Sequence, residues 1–140
     1  MKTLLIDTDK KIIKEVELES DGENYDDYSH AICKAMGCTY FAHALTFPNG
    51  DMLYINEDGL KDDSKLAFVL CGASLPIFGN ALIVGEGTLI PQERHYQSDL
   101  LEITPEVRFC NAVETKKIRN TLPKSNYVID YTHPTKTGLN

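Results

Sequence analysis

The side chains with most chemical potential in this 140-residue chain are carboxylates crowded near its start. Seven acids fall within thirteen residues that contain no Lys or Arg, namely Glu15, Glu17, Glu19, Asp21, Glu23, Asp26 and Asp27. A hydrolase built on paired carboxylates needs two acids that converge on one cleft. The spacing here instead predicts the wet face of a strand, a turn and the first turn of a helix. We interpret the run as solvated surface or, alternatively, as a surface that docks a basic partner or mimics nucleic acid.

The histidines and cysteines are not spaced as metal ligands or as a nucleophile with its base. His30 and Cys33 lie three residues apart on one predicted helix, but two ligands on one element do not close a metal site. His43 alternates with apolar residues and is predicted to be a core histidine. The cysteines have apolar neighbours and no CxxC spacing, which predicts four buried free thiols: Cys33, Cys38, Cys71 and Cys110. Glycine-rich phosphate-binding motifs are absent. The sequence thus predicts no metal and no cofactor.

The charge is divided unevenly along the chain. The formal net charge is −7, but the segment from Lys116 onward holds five bases and one acid, which leaves −11 on residues 1–115. Such an acidic body repels nucleic acid and anionic membranes at long range. The first uncharged run, Thr3 to Ile6, has four residues, whereas a signal peptide needs an apolar stretch of about 7–15. We therefore expect a cytoplasmic protein with no membrane partner.

Local patterns predict an α+β fold with a small, mainly antiparallel sheet and two or three helices. Residues 1–119 are expected to form a single domain, and residues 120–140 a basic tail that is either an added edge strand or partly disordered. The clearest elements are a helix over 25–36, strands over 3–7, 12–18, 39–47, 52–56 and 81–84, and a hairpin turn at 48–51.

Two further segments are less distinct in pattern. Residues 64–70 fit a short helix or a buried strand, and the helix is favoured because Asp62, Asp63 and Ser64 suit a helix start. Thr104-Pro105-Glu106 predicts the start of another helix, with Phe109, Ala112 and Val113 turned inward.

One stretch resembles a known family. Met52 to Gly85 reads MLYINEDGL…LPIFGNALIVG and follows the strand MGCTYFAHAL. This is similar to the small phage and mobile-element proteins grouped as domain of unknown function 3846, over roughly residues 38–90. In that family a strand ends in Asn-Glu-x-Gly, and a later Gly-Asn precedes a short apolar strand and Gly. The matching residues are Asn56, Glu57, Gly59, Gly79, Asn80 and Gly85, while Leu66-Ala67 departs from the family's helix start.

The resemblance implies an accessory protein of a phage or conjugative element, of a kind that accompanies antirestriction proteins. We therefore expect a non-enzymatic binding protein that blocks a component of a host defence. A protein partner would dock on the acidic strip, defined as Glu15, Glu17, Glu19, Asp26 and Asp27. A small ligand, such as a signalling nucleotide, would bind at Asn56, Glu57, Asp58 and Asn80.

Two other functions remain open from the sequence. One is a structural subunit that forms a homo-oligomer through its apolar strand edges. The other is an enzyme whose site is assembled from distant positions such as His43, Cys71 or Asp58.

Overall fold

Two antiparallel sheets and two α-helices form the part of the chain that the computed structural model describes, which is residues 1–20, 24–85, 96, 103–122, 127–132 and 134. The predicted α+β class is confirmed. The strands are β1 (Lys2–Asp7), β2 (Ile12–Glu17), β3 (Phe41–Thr46), β4 (Met52–Asn56), β5 (Ala67–Leu70), β6 (Ile77–Phe78), β7 (Ala81–Val84) and β8 (Val107–Phe109). The helices are α1 (Tyr25–Met36) and α2 (Ala112–Thr121).

The larger sheet has five strands in the order β2-β1-β7-β4-β3. Its centre is β7, in which all four residues are buried. A strand covered on both faces needs apolar side chains at every position, and this explains the unbroken run ALIV. β2 lies at one edge, where its charged side chains discourage pairing with a further strand.

Helix α1 covers one face of this sheet and begins and ends where the sequence predicts. The side chain of Asn24 accepts a hydrogen bond from the Asp27 amide at the start, and Gly37 closes the end in a left-handed conformation. Ile32 and Met36 of α1 pack against a cluster of sheet residues that includes Leu5, Leu18, Tyr54, Leu82 and Val84.

The opposite face packs against the smaller sheet, whose strand order is β6-β5-β8. The core between the two sheets includes Leu4, Ile6, Leu53 and Ile83 from the first sheet and Phe68, Leu70 and Ile77 from the second. Helix α2 contributes Ile118 to a smaller cluster around Leu60, Ala67 and Phe78.

The helix favoured over residues 64–70 is wrong, because Ala67–Leu70 form β5. Ser64 does not cap a helix. Its amide and hydroxyl both donate to Asp62 Oδ1, at 3.0 and 2.6 Å, and so close a turn before the strand. Pairing with β6 on one side and β8 on the other then determines the extended conformation.

The helix predicted to start at Thr104 is also wrong in position. Thr104–Glu106 form one 3₁₀ turn, and β8 follows at once. Helix α2 begins at Ala112, after the N-cap residue Asn111, whose side chain accepts from the Glu114 amide at 2.8 Å in a capping box. Ala112 and Val113 are consequently exposed, not inward, with Val113 65% exposed.

Part of the predicted tail lies on the folded body. Helix α2 continues to Thr121, so it crosses the boundary drawn at residue 119. Ile129 is buried in the core between the sheets, and Tyr131 forms an isolated antiparallel bridge with Ala73. The Ser74 amide donates to the Asp130 carbonyl at 2.7 Å. Most residues of the tail after Tyr131 lie outside the described part of the chain.

Candidate functional site

A cleft of about 270 Å³ opens where β3 and β4 meet the segment Tyr127–Ile129. Most of its lining residues are apolar, but polar atoms make up nearly half of the exposed wall, and the polar residues include His43, Asn56 and Glu57. The apolar residues are Ala42, Ala44, Ile55, Leu60, Phe78, Val128 and Ile129. Small clefts with an apolar lining and a few polar groups are typical of ligand sites.

A β-bulge in β3 shapes this cleft. The pairing register between β3 and β4 shifts between His43 and Leu45, so the strand's alternation of faces is reset there. Ala42 and Ala44 both pack against the core between the sheets as a result. Their short side chains leave space at the cleft wall that longer side chains would fill.

The bulge also corrects the prediction for His43. His43 is exposed, not part of the core. Its Nε2 lies 2.8 Å from the Thr46 hydroxyl, and its ring meets Tyr54 edge-on at 6.3 Å between centroids. Strict alternation places His43 on the same face as Leu45, whereas the shifted register separates them.

The turn after β4 holds Glu57 at the cleft. Asn56 Oδ1 accepts from the Asp58 amide at 3.0 Å, and the Gly59 amide donates to the Asn56 carbonyl at 3.1 Å. The Glu57 amide donates to the Tyr40 carbonyl at 3.0 Å. The carboxylate of Glu57 is exposed, and it forms no ion pair within the described residues.

Gly59 lets this turn approach the smaller sheet. A Cβ atom at Gly59 would lie 2.1 Å from the carbonyl oxygen of Phe78. Only glycine therefore fits there without displacing the backbone of β6.

Arg119 of α2 anchors the chain that follows the turn. It is 6% exposed, and its Nε donates to the Leu60 carbonyl at 3.0 Å. Its Nη2 donates to the carbonyls of Asp62 and Lys65, each at 2.9 Å, and the guanidinium lies 4.7 Å from the centre of the Phe78 ring. By sequence Arg119 counts only as one of the five bases from Lys116 onward, and no local pattern marks it as buried.

Tyr127 fixes the other wall. Its hydroxyl donates to the Pro76 carbonyl, and its ring packs against Phe78 at 6.4 Å between centroids. Burial raises the pKa of this phenol, so the hydroxyl remains a donor at neutral pH.

The four predicted small-ligand residues have different environments. Asn56 and Glu57 line the cleft, whereas Asp58 and Asn80 do not. Asn80 Oδ1 accepts from the Thr8 amide at 2.8 Å, and its Nδ2 donates to the Met36 carbonyl at 3.3 Å. Asn80 thus ties the β1–β2 turn to the end of α1, so its side chain has a structural role in this fold.

The acidic strip is divided between two faces of the larger sheet. Glu15 pairs directly with Leu4 of the core between the sheets, so Glu15 and Glu17 project from the face opposite α1. Asp26 and Asp27 lie in the first turn of α1, on the other face. The strip is therefore not one continuous surface.

Several of these acids already have partners. The Tyr96 hydroxyl donates to Glu15 at 2.7 Å, and the N-terminal ammonium donates to Glu17. Glu19 lies 4.0 Å from Lys34 in an exposed ion pair. The remaining acids of the run, Asp21 and Glu23, are outside the described residues.

The prediction of four buried thiols is wrong for three of them. Cys110 is buried, Cys33 and Cys38 are half-buried, and Cys71 is exposed. Cys71 lies beside Glu106, and the hydrogen bond between their side chains is the main reason why the pKa of the Cys71 thiol is raised. A raised pKa leaves less of the thiolate, and this disfavours a nucleophilic role for Cys71.

The described residues contain no group of three or more His, Cys, Asp and Glu side chains placed to hold a metal ion. Neither α1 nor α2 has the length and apolar character that a bilayer span requires. Comparison with protein-family models, with curated proteins and with solved structures gives no match.

Proposed function

We propose that the protein is a binding protein whose cleft holds a ligand with an apolar body and one positively charged group. The proposal rests on a cleft whose lining residues are mostly apolar and which also holds the Glu57 carboxylate, which forms no ion pair among the described residues. The net charge of −7 adds a field that draws cations toward the protein.

The size and charge of the cleft support a small cation better than a nucleotide. Its volume of about 270 Å³ lies just below the range of about 300–1,000 Å³ that ligand pockets span. A nucleotide would also bring phosphate groups close to Glu57, where like charges repel.

The biological role proposed for this binding follows the family resemblance. The protein would act in the cytoplasm as an accessory protein of a phage or mobile element that inhibits a component of a host defence. The cation would be either a free amine or a lysine side chain of that component, since both offer an ammonium group on an apolar stem.

The two edges of the larger sheet do not favour the alternative of assembly through strand edges. β2 presents Lys14, Glu15 and Glu17 at one edge of the larger sheet, and the bulge interrupts β3 at the other. Both features discourage edge-to-edge pairing.

Titration with matched probes tests the proposal. Benzylamine and benzyl alcohol share a ring and differ in charge, and acetyl-Leu-Lys-Leu-amide represents a lysine in a protein. We expect benzylamine to bind about fivefold more tightly than benzyl alcohol, as fits one partly exposed charge pair. If the peptide binds more tightly than benzylamine, the bound cation is a lysine side chain of a protein. If benzylamine binds more tightly than the peptide, the bound cation is a free amine.

Two variants locate the charge. Glu57→Gln should weaken benzylamine binding to the level of benzyl alcohol, and the matched variant Glu19→Gln should leave it unchanged. Equal binding of the two ring compounds, or an unchanged affinity in Glu57→Gln, would overturn the proposal. A loss confined to Glu19→Gln would instead place the binding at the acidic strip.

A further inference from the structure

The end of α1 brings two cysteines together. The amides of Gly37 and Cys38 both donate to the Cys33 carbonyl, at 2.8 and 3.1 Å, and Gly37 has φ 70°. The bond from Cys38 is the six-to-one bond of a Schellman motif, in which the side chains of the accepting and the donating residue are frequently in contact. In this chain those two residues are Cys33 and Cys38.

The backbone also satisfies the distance requirement of a disulfide. The hydrogen bond joins the Cys33 carbonyl oxygen to the Cys38 amide nitrogen, and each of these atoms is held close to its own α-carbon by standard bond lengths. The two α-carbons are therefore within about 7 Å of each other. Disulfides join cysteines whose α-carbons are about 4.4–6.8 Å apart. The helix cap thus holds the pair near bonding geometry before any oxidation.

We propose that Cys33 and Cys38 form a reversible intramolecular disulfide when the protein meets a peroxide. Both residues are half-buried, so part of each remains open to solvent. The Cys33 thiol donates to the carbonyl of Thr39, the residue after Cys38, at 3.4 Å. This hydrogen bond turns the Cys33 sulfur toward the chain segment that contains Cys38.

The roles of the two sulfurs differ. Burial, with a further contribution from Cys33, raises the pKa of the Cys38 thiol to about 12, so Cys38 stays protonated at neutral pH. Cys33 is therefore the sulfur that the peroxide oxidises first, and this yields a sulfenic acid and one water. The Cys38 thiol then attacks the Cys33 sulfur, the S–S bond forms, and the sulfenic hydroxyl leaves as a second water with the proton of the Cys38 thiol. Two electrons pass from the thiols to the peroxide.

The sequence offers a direct readout of this bond. Trypsin cleaves after Lys34 and so separates Cys33, in the peptide 15–34, from Cys38, in the peptide 35–61. The experiment treats the folded Cys71→Ser protein with hydrogen peroxide, because this variant lacks the exposed thiol. We expect a protein lighter by two hydrogen atoms, whose peptides 15–34 and 35–61 stay linked until dithiothreitol separates them.

Single variants then test the assigned roles. In Cys38→Ser, Cys33 should accumulate as a sulfenic acid that dimedone captures, and in Cys33→Ser neither product should form. Circular dichroism establishes that each variant is folded. The proposal is overturned if the Cys71→Ser protein gives only sulfinic or sulfonic acids at these positions, only linked dimers, or no reaction at Cys33.

Discussion

The backbone amide of Glu57 donates a hydrogen bond of 3.0 Å to the carbonyl oxygen of Tyr40. This bond joins the turn at the cleft to the chain that links Cys38 with β3. The position of the Glu57 carboxylate therefore depends on backbone packing, and the packing around this turn can be tested by substitution.

Gly59→Ala should disrupt the turn. The added Cβ would meet the Phe78 carbonyl at 2.1 Å, and overpacking of this kind costs about 1–3 kcal/mol of unfolding free energy. We also expect benzylamine binding to be lost. Urea unfolding and calorimetric titration measure the two effects.

Gly37→Ala is the matched control for that variant. No atom lies within 4 Å of its added Cβ, but its φ of 70° is left-handed, so strain alone costs about 1–2 kcal/mol. Binding should be unchanged, because Gly37 does not line the cleft. Normal binding by Gly59→Ala would contradict the account of the turn.

Arg119→Met should destabilise the protein by about 2–4 kcal/mol, because it leaves one buried and two half-buried carbonyl groups without their donor. Those groups belong to Leu60, Asp62 and Lys65. Arg108→Met is the control, since Arg108 is exposed and forms an ion pair only with Glu114 among the described residues. This substitution should lower the unfolding free energy by about 0.5 kcal/mol. Equal urea midpoints for the two variants would refute a structural role for Arg119.

Asn80→Ala and Asn56→Ala should separate stability from binding. Loss of the Asn80 bonds to Thr8 and Met36 should cost about 1–3 kcal/mol, with benzylamine affinity unchanged. Asn56→Ala loosens the turn that carries Glu57, so it should weaken binding at a smaller cost in stability. Unfolding curves and titrations of both variants check this, and the reverse pattern would make Asn80 a ligand residue.

Glu114 should contribute to the acid dependence of stability. The Glu114 carboxylate accepts a hydrogen bond from Arg108 and another from the Asn111 amide. These bonds, of which the one from Arg108 has the larger effect, lower the pKa of the Glu114 carboxyl below 4.5. A lowered folded-state pKa means that the contribution is present above pH 4.5 and is lost as pH falls through the folded value. Unfolding free energies measured between pH 6 and pH 3 should therefore fall less steeply in Glu114→Gln. Parallel curves for variant and parent would exclude this contribution.

Elements with consistent local signals were predictable from the sequence. Helix α1 has an N-cap, acids in its first turn, an apolar stripe and a closing glycine, and it lies where these signals place it. The turn at 48–51 joins β3 and β4 as predicted. In both cases residues close in sequence suffice to determine the conformation.

Elements determined by distant partners were not predictable. β5 is extended because it pairs with β8 about forty residues later, although Asp62 and Ser64 resemble a helix start. The cleft likewise combines Ala42, Ile55 and Ile129 from distant parts of the sequence. Asn56 and Glu57 were predicted as ligand-binding residues because they match the turn motif of the family that the sequence resembles. The bulge in β3, which places Ala42 and Ala44 beside them, leaves no signal in the local sequence pattern.

Amide NMR during a benzylamine titration tests the central claim, that the cleft binds an organic cation, most directly. We expect saturable shifts that are largest for residues 42–44, 55–57 and 128–129, which line the cleft, and that need about fivefold higher concentrations of benzyl alcohol to reach the same extent. Shifts that are largest along Glu15–Glu19 or at Asp26 and Asp27, or no saturable shifts at all, would contradict it.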